Sequence, residues 1–457
     1  MLMASSVFES ILYADTFSTK GMREVFSDHS AINKYIEVEI ALAKAQARLG
    51  VIPEWAAMAI AERASSDVLD FQELRKGTER VGYPILPLVE QLATACGEAG
   101  KYLHWGATTQ DIMDSALVLQ MRDGTILIER ELNSLRKILR VLAKRYRDTP
   151  MAGRTHLQHA LPITFGYKVA VWLSMFDRHA ERLQELKPRL LVGQLAGASG
   201  TLASVRSDGF GIQAQFMREL GLGVPSITWH TARDGLAETV QWLALMASSL
   251  GKVAQDISFM MATELGEVYE PFVSGRGASS TMPQKRNPIS CEVILAATRV
   301  LRQHSALILD ASVQDFERAT GPWQVEWVVI PESFIAASGA LSQANFMLDG
   351  LEVKTERMAS NLDITKGLIV AEAVMMELAK YTGRQAAHEI VYDACRAASE
   401  QNKHFAQILA TNQQITEHLN PDQIETLTSP ENYLGLAPEM VDRVLSHEVS
   451  ASDDSTR

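Results

Sequence analysis

The chain has 457 residues, enough for two or three domains and a large buried core. Its composition, 47% hydrophobic and 21% charged, is that of an ordinary globular protein. The formal net charge of -12 argues against a nucleic-acid-binding surface and leaves any anionic substrate to be held by local positive groups. No run of about 18 apolar residues spells a membrane span, and no basic region followed by an apolar run marks a signal peptide. Cys96, Cys291 and Cys395 are odd in number and lack metal-ligand or disulfide spacing, which fits a reducing cytoplasm.

Up to residue 111 the chain reads as short helices broken by turns. A helix is expected over Asp28–Arg48, and Val81-Gly82-Tyr83-Pro84-Ile85-Leu86-Pro87 reads as a kinked connector. Next comes Lys101-Tyr102-Leu103-His104-Trp105-Gly106-Ala107-Thr108-Thr109-Gln110-Asp111. Its threonines and aspartate suit the cap of a helix beginning near Asp111 as well as they suit a binding role. From Ile128, apolar residues recur at Leu132, Leu135, Leu139, Leu142 and Tyr146, which predicts a long helix. Pro150 and Pro162 then bracket Gly153-Arg154-Thr155-His156-Leu157-Gln158-His159, read as a break between helices. A histidine there serves either as a general acid or base near neutral pH or as a cap for a helix starting near Pro162. Gln194 lies in the glycine-rich break Gly193-Gln194-Leu195-Ala196-Gly197-Ala198-Ser199-Gly200, which the fold could need anyway.

From Leu236, apolar residues recur at Val240, Leu243, Ala247, Leu250, Ala254, Ile257 and Met261. This is an a/d seam sustained for about 25 residues, or roughly 38 Å of helix. Leu245, Met246, Val253 and Met260 are apolar as well, so the helix needs neighbours on several sides, either in a multi-chain bundle or at the centre of a monomeric one. After residues 351–354 the chain resets into shorter helices, and residues 450–457 form a polar tail expected to be disordered. Few runs alternate with period two, so the class is all-α. Three domains are expected: an N-terminal helical domain at 1–111, a central long-helix bundle at 112–357 and a C-terminal helical domain at 358–457.

The densest chemistry lies in Gly277-Ala278-Ser279-Ser280-Thr281-Met282-Pro283-Gln284-Lys285-Arg286-Asn287-Pro288. The prolines forbid a helix through it, while helical sequence flanks it on both sides. It reads either as a solvated connector or as a mobile lid that closes over an anionic substrate. Taking a proton from the carbon next to a carboxylate yields a dianionic aci-carboxylate, so an ammonium and amide donors must neutralise the developing charge. Serine is too weak a base in water, and a closed, dry, cationic pocket around Lys285 and Arg286 would favour its alkoxide. No metal or organic cofactor is needed for such a step. Further on, Glu317-Arg318 in Gln314-Asp315-Phe316-Glu317-Arg318 is either a surface ion pair or a functional one.

The 277–288 stretch resembles the signature loop of the aspartase/fumarase superfamily, written roughly G-S-S-x-M-P-x-K-x-N, with Ala278 where many members have glycine. Gly153-Arg154-Thr155-His156 and the Thr108, Thr109, Asp111 stretch resemble the other two signatures. The resemblance implies Ser279 as base and His156 as acid or substrate ligand. It implies Thr108, Thr109 and Asp111 as carboxylate binders, with Thr155 and Ser280 as further contacts. Lys285 and Asn287 would hold the carboxylate beside the abstracted proton, and Gln194 and Arg318 would contact substrate. It also implies a homotetramer with a 20-helix core, each active site built from three chains.

Within the superfamily the chain is most similar to the branch of 3-carboxy-cis,cis-muconate lactonizing enzymes, near the adenylosuccinate lyases. Met22-Arg23-Glu24-Val25-Phe26-Ser27-Asp28, Leu186-Lys187-Pro188-Arg189-Leu190-Leu191, Thr281-Met282-Pro283 and the Glu326-Trp327 pair carry that likeness. Proteobacterial lactonizing enzymes of the branch have tryptophan at the position of His156, so its presence points to elimination. The functional histidine that adenylosuccinate lyases have near Val81-Gly82-Tyr83 is missing. The expectation is a fumarate-forming C–N lyase acting on an N-substituted aspartate, with iminodisuccinate as candidate. The alternatives are a 3-carboxy-cis,cis-muconate cycloisomerase and, ranked below it, an adenylosuccinate lyase or an inactive structural homologue.

Overall fold

The computed structural model describes residues 6–205 and 208–447, so the tail expected at 450–457 lies outside the described residues. Helix starts follow the local side chains. Ser27 accepts the Ser30 N–H ahead of Asp28–Arg48, and Asp70 accepts the Gln72 and Glu73 N–H groups ahead of Phe71–Val81. Gly82, at φ +90°, ends the latter in the left-handed region where a side chain is costly. Five helices carry the architecture: Thr109–Arg145, Phe165–Leu190, Asp234–Met260, Ile289–Ala311 and Pro322–Asp349, here the first to fifth long helices. The all-α class holds: among the described residues the remaining regular structure is shorter helices and two small two-stranded ribbons. No helix among them is long and apolar enough to cross a membrane.

The a/d seams are where the spacing put them. Ile128, Leu132, Leu135 and Leu139 are fully buried, and so are Val240, Leu243, Ala247, Ala254 and Ile257. Met246, Val253 and Met260 are also buried within this single chain, so the chain itself covers several faces of the third long helix. Of its off-seam apolar residues, Leu245 and Phe259 stay about half exposed.

The chain divides into two compact units, and each long helix contributes residues to both. The first comprises the described residues of 1–132, 179–251 and 293–343. Leu42, Ile60, Leu88, Leu92, Leu119 and Phe216 belong to its core. A Cβ at Gly339 would stand 2.1 Å from the Phe17 carbonyl oxygen, so the N-terminal chain lies directly on the fifth long helix there. The second unit comprises the described residues of 133–178, 252–292 and 344–457, with a core around Val374, Leu378, Val391, Phe405 and Leu409.

The second unit holds a β-hairpin where the sequence predicts a break between helices. Pro150–Thr155 pairs antiparallel with Gln158–Thr164, and His156 and Leu157 form the two-residue turn. The hairpin was hidden by a proline in each strand and by the absence of Asn-Gly at the turn. A two-stranded ribbon has only edge strands, where proline is tolerated. Residues 152–154 break the register, and Gly153 at that break has no room for a Cβ, which would meet the Leu161 carbonyl oxygen at 2.6 Å.

Deep in the first unit, Arg233 ends the segment before the third long helix and meets two carboxylates. Its guanidinium donates to both Asp114 oxygens at 2.8 Å and to the Glu326 oxygens at 2.9 and 2.6 Å. All three side chains are buried, and Gln314 adds a bond to Glu326 at 3.1 Å. Burial pushes the Glu326 carboxyl up against the pull of Arg233. Removing the only cation would strand two buried carboxylates. Arg233→Met is therefore expected to cost about 3–5 kcal/mol of unfolding free energy. Urea denaturation measures this, and a cost below about 1 kcal/mol would mean that the triad is dispensable.

Candidate active site

The serine loop belongs to the second unit. Gly275 and Gly277 take φ +80° and +68°, and the neck is closed by the Asn287 N–H to the Gly277 carbonyl at 3.0 Å and by an Ala278–Arg286 bridge. Past the neck, Ser279 Oγ accepts two backbone N–H groups, from Thr281 at 3.2 Å and Met282 at 3.0 Å. Two donors on one hydroxyl oxygen favour its ionised form. Ser279 is half-buried, while Ser280 and Lys285 are exposed.

Arg286 departs from the expected role in a cationic pocket. It pairs with Glu352 at 2.8 Å, donates to the Glu270 carbonyl at 2.7 Å and lies over the Tyr269 and Phe272 rings. The hydrogen bond from Arg286, aided by Lys354, holds the Glu352 carboxyl below the usual range. Lys285 is therefore the uncommitted cation of the loop, with no ion pair among the described residues. Beneath it is a cavity of about 220 Å³ lined by Met261, Glu270, Phe272, Arg276, Lys285 and Asn287. Glu270 itself is spent on the start of the fourth long helix, where it accepts the Ser290 and Cys291 N–H groups at 3.1 and 3.0 Å.

His156 stands at the hairpin tip, also in the second unit. It and Leu157 take φ +51° and +63°, the signature of a type I′ turn made from residues that resist it. Thr155, His156 and Leu157 are exposed. Arg154 anchors the hairpin through a bidentate pair to buried Glu267 at 2.6 and 3.0 Å, and Asn361 donates to the same carboxylate at 2.8 Å. His159 lies in the second strand, so the proposed helix cap near Pro162 does not exist. Burial and the nearby Arg154 push its ring toward neutrality. Among the described residues no hydrogen bond or ion pair joins the His156 turn to the serine loop.

The first unit gathers Thr108, Thr109, Asp111, Gln194 and Arg318. Thr109 opens the 37-residue first long helix, with Thr108 just before it, at the end where the helix dipole favours an anion. Asp111 is fully buried. One of its oxygens accepts the Ala196 N–H at 2.9 Å and contacts His230 Nε2 at 2.8 Å. The other accepts the Gly197 N–H at 2.9 Å and the Thr108 N–H at 3.0 Å. Every lone-pair direction of the carboxylate is taken, so Asp111 cannot also bind a substrate carboxylate, as the signature match implied. Its place is that of a knot. Gln194 is buried beside it, and with its amide assigned in the orientation that satisfies both ends, its oxygen accepts the His230 and Trp229 N–H groups at 2.9 and 3.1 Å. Arg318 donates to the Ala198 carbonyl at 2.9 Å, and no ion pair joins it to Glu317 among the described residues.

Two histidines of this region escaped the sequence reading. His230 is buried against Asp111 and sits just before the third long helix, in Trp229-His230-Thr231-Ala232-Arg233. A histidine and an arginine in a short pre-helix segment were the available signal. His104 takes φ +58° and is gripped by buried Glu39, which accepts its backbone N–H at 3.1 Å and contacts Nδ1 at 2.6 Å. Burial lowers the imidazolium's stability, but the Glu39 carboxylate outweighs it, with Asp111 adding to it, and the net shift of the pKa is upward.

Comparison with known proteins places this geometry in a family. Residues 16–301 match the model described as lyase, and residues 367–444 match that of the adenylosuccinate lyase C-terminus. The chain is 45% identical over 439 residues to trans-aconitate decarboxylase 1 of Mycosarcoma maydis, covering 96% of this chain and 89% of that protein. It is 43% identical to the 3-carboxy-cis,cis-muconate cycloisomerase of Pseudomonas aeruginosa, covering 97% of each. It is 40% identical to the N-acetyl-S-(2-succino)cysteine lyase of Dickeya dadantii, covering 97% of this chain and 98% of that one. The crystal structure of a fumarate lyase from Mesorhizobium sp. BNC1 superposes with a TM-score of 0.90 at 58% identity, covering 94% of this chain and 99% of that one. On these grounds the chain belongs to the lyase family of the aspartase/fumarase superfamily, in the branch shared by 3-carboxy-cis,cis-muconate cycloisomerases and the adenylosuccinate lyases.

Proposed function

We propose that this enzyme is a fumarate-forming carbon–nitrogen lyase acting on an N-substituted aspartate, with iminodisuccinate as the candidate substrate. The observation that carries the reading is the pair of backbone N–H groups on Ser279 Oγ. As alkoxide, Ser279 takes a proton from the carbon next to the distal carboxylate, and the electron pair moves into that carboxylate to give the dianionic aci-form. Lys285 and Asn287 neutralise it. The pair then returns to form the double bond as the C–N bond breaks, and His156 delivers a proton to the departing amine. Thr108, Thr109, Gln194 and Arg318 bind the remaining carboxylate, and Thr155 and Ser280 contact substrate. The names of the three relatives all describe polycarboxylate substrates, which suits this set of donors.

His156 supports elimination over cycloisomerisation. A histidine in a strained left-handed turn is tolerated where function needs it, and expulsion of an amine needs an acid. Cycloisomerisation of 3-carboxy-cis,cis-muconate is the second reading, favoured by the 43% identity to the Pseudomonas enzyme. We further propose a homotetramer whose sites draw on several chains. Val300 and Leu307 on the fourth long helix, like Leu245 and Phe259 on the third, are partly exposed at heptad intervals. Such apolar stripes suit packing against other copies.

Ser279→Ala is expected to lower kcat by roughly 10²–10⁴ with circular dichroism and assembly unchanged. Activity within a few-fold of wild type would move the base to Ser280. Removing the His156 acid should lower kcat for elimination by roughly 10² or more. If the enzyme instead lactonises 3-carboxy-cis,cis-muconate efficiently, and His156→Trp leaves that rate unharmed, the C–N lyase reading fails. Shared sites make a further demand on mixed assemblies. Ser279→Ala chains co-assembled with His156→Asn chains should regain a fraction of wild-type activity that follows the mixing ratio. Verified mixed tetramers as inactive as both parents would mean that the two residues share a chain within each site or share no site.

A further inference from the structure

His230 has no role in the chemistry above, yet it is tied to three residues of the proposed carboxylate-binding end of the first unit, Gln110, Asp111 and Gln194. Its backbone carbonyl accepts from the Gln110 amide at 2.8 Å. Its backbone N–H goes to the Gln194 amide oxygen at 2.9 Å. Its ring nitrogen meets Asp111 at 2.8 Å. Gln110 and Asp111 lie in the first turn of the first long helix, beside Thr108 and Thr109. Gln194 lies on the segment whose Ala196 and Gly197 N–H groups close on the same Asp111 carboxylate. Ser115 adds a second clasp, exchanging hydrogen bonds with the Gln194 backbone at 2.8 and 2.9 Å. The imidazole thus completes the joint between two pieces of chain that must be in register to grip one anion.

We infer that His230 is a positioning residue for dicarboxylate binding: by donating to Asp111 it locks the Thr108–Thr109 helix start to the Gln194 segment. The inference rests on the reading of Thr108, Thr109 and Gln194 as the carboxylate subsite. His230 touches no substrate in this scheme. Its loss loosens the register of the groups that do, which appears in affinity before it appears in the chemical step.

The test is equilibrium binding of fumarate by calorimetry to the full chain, with circular dichroism and melting on every variant. His230→Leu is expected to weaken fumarate binding about tenfold or more, the loss typical of a hydrogen bond to a charged group. His230→Gln, whose amide nitrogen can stand in for Nε2, should bind within about threefold of wild type on the same grounds. Asp111→Asn supplies a sign that a merely structural or electrostatic role would not produce. Taking a negative charge away from a dianion's site should tighten binding by Coulomb's law alone, so weaker binding reports lost positioning. It also carries the test if His230→Leu fails to fold. A folded His230→Leu with wild-type affinity, or tighter or unchanged binding by Asp111→Asn, would overturn the inference. Thr108→Val with Thr109→Val separates the two levels: unchanged affinity there removes the carboxylate subsite itself, and this inference with it.

Discussion

A buried carboxylate must find donors for its lone pairs or lose several kcal/mol of hydration unreplaced. Asp111 meets that demand with three backbone N–H groups and one imidazole, drawn from the helix start at Thr108, the Ala196-Gly197 segment and His230. The four donors come from three different stretches of chain, so satisfying one side chain ties three segments together. The neighbouring Arg233 triad works in the same way, joining the first and fifth long helices through Asp114 and Glu326. Polar groups, rather than apolar packing alone, hold the register at this end of the first unit.

Most of the charge near the candidate residues is already spent. Arg154 belongs to Glu267, Arg286 to Glu352 and Arg233 to Asp114 and Glu326. In a chain of net charge -12, that leaves little free positive charge for an anionic substrate. In the second unit Lys285 has no ion pair among the described residues, and in the first unit Arg318 donates to a backbone carbonyl and pairs with no carboxylate among them. Such a site depends on geometry more than on field strength, because fixed N–H dipoles act only where they point. It also explains why the pieces are held so differently. The Asp111 knot is fully buried, whereas Ser279 sits on a loop pinned only at its neck and His156 on an exposed turn.

Two features already present in the amino-acid order survive unchanged in three dimensions. The a/d spacing of Ile128 to Leu139 and of Val240 to Ile257 becomes buried seams, because period and burial are properties of one helix and need no knowledge of its neighbours. The residues of the serine loop were legible for a related reason. Prolines, glycines, hydroxyls and an ammonium between two long helices can be read without the fold, and the long mixed motif resembles its superfamily closely. The Asp28–Arg48 helix and its Ser27 cap are local in the same sense.

What only the tertiary structure decided is partnership. Asp111 looked like a substrate ligand because its spacing from Thr108 is visible, while the Ala196, Gly197 and His230 donors that use it up lie 85, 86 and 119 residues away. Arg286 looked like a free cation until Glu352 took it, at a separation of 66 residues. The hairpin around His156 was hidden because ribbon pairing tolerates prolines that would break a central strand. The covering of the third long helix was not legible either, because a sequence shows how many faces are apolar and not how many neighbours the same chain brings. Apart from the hairpin, whose strands are neighbours in the chain, the deciding quantity is a contact between distant segments, and no local propensity or spacing encodes which distant donor will meet which acceptor.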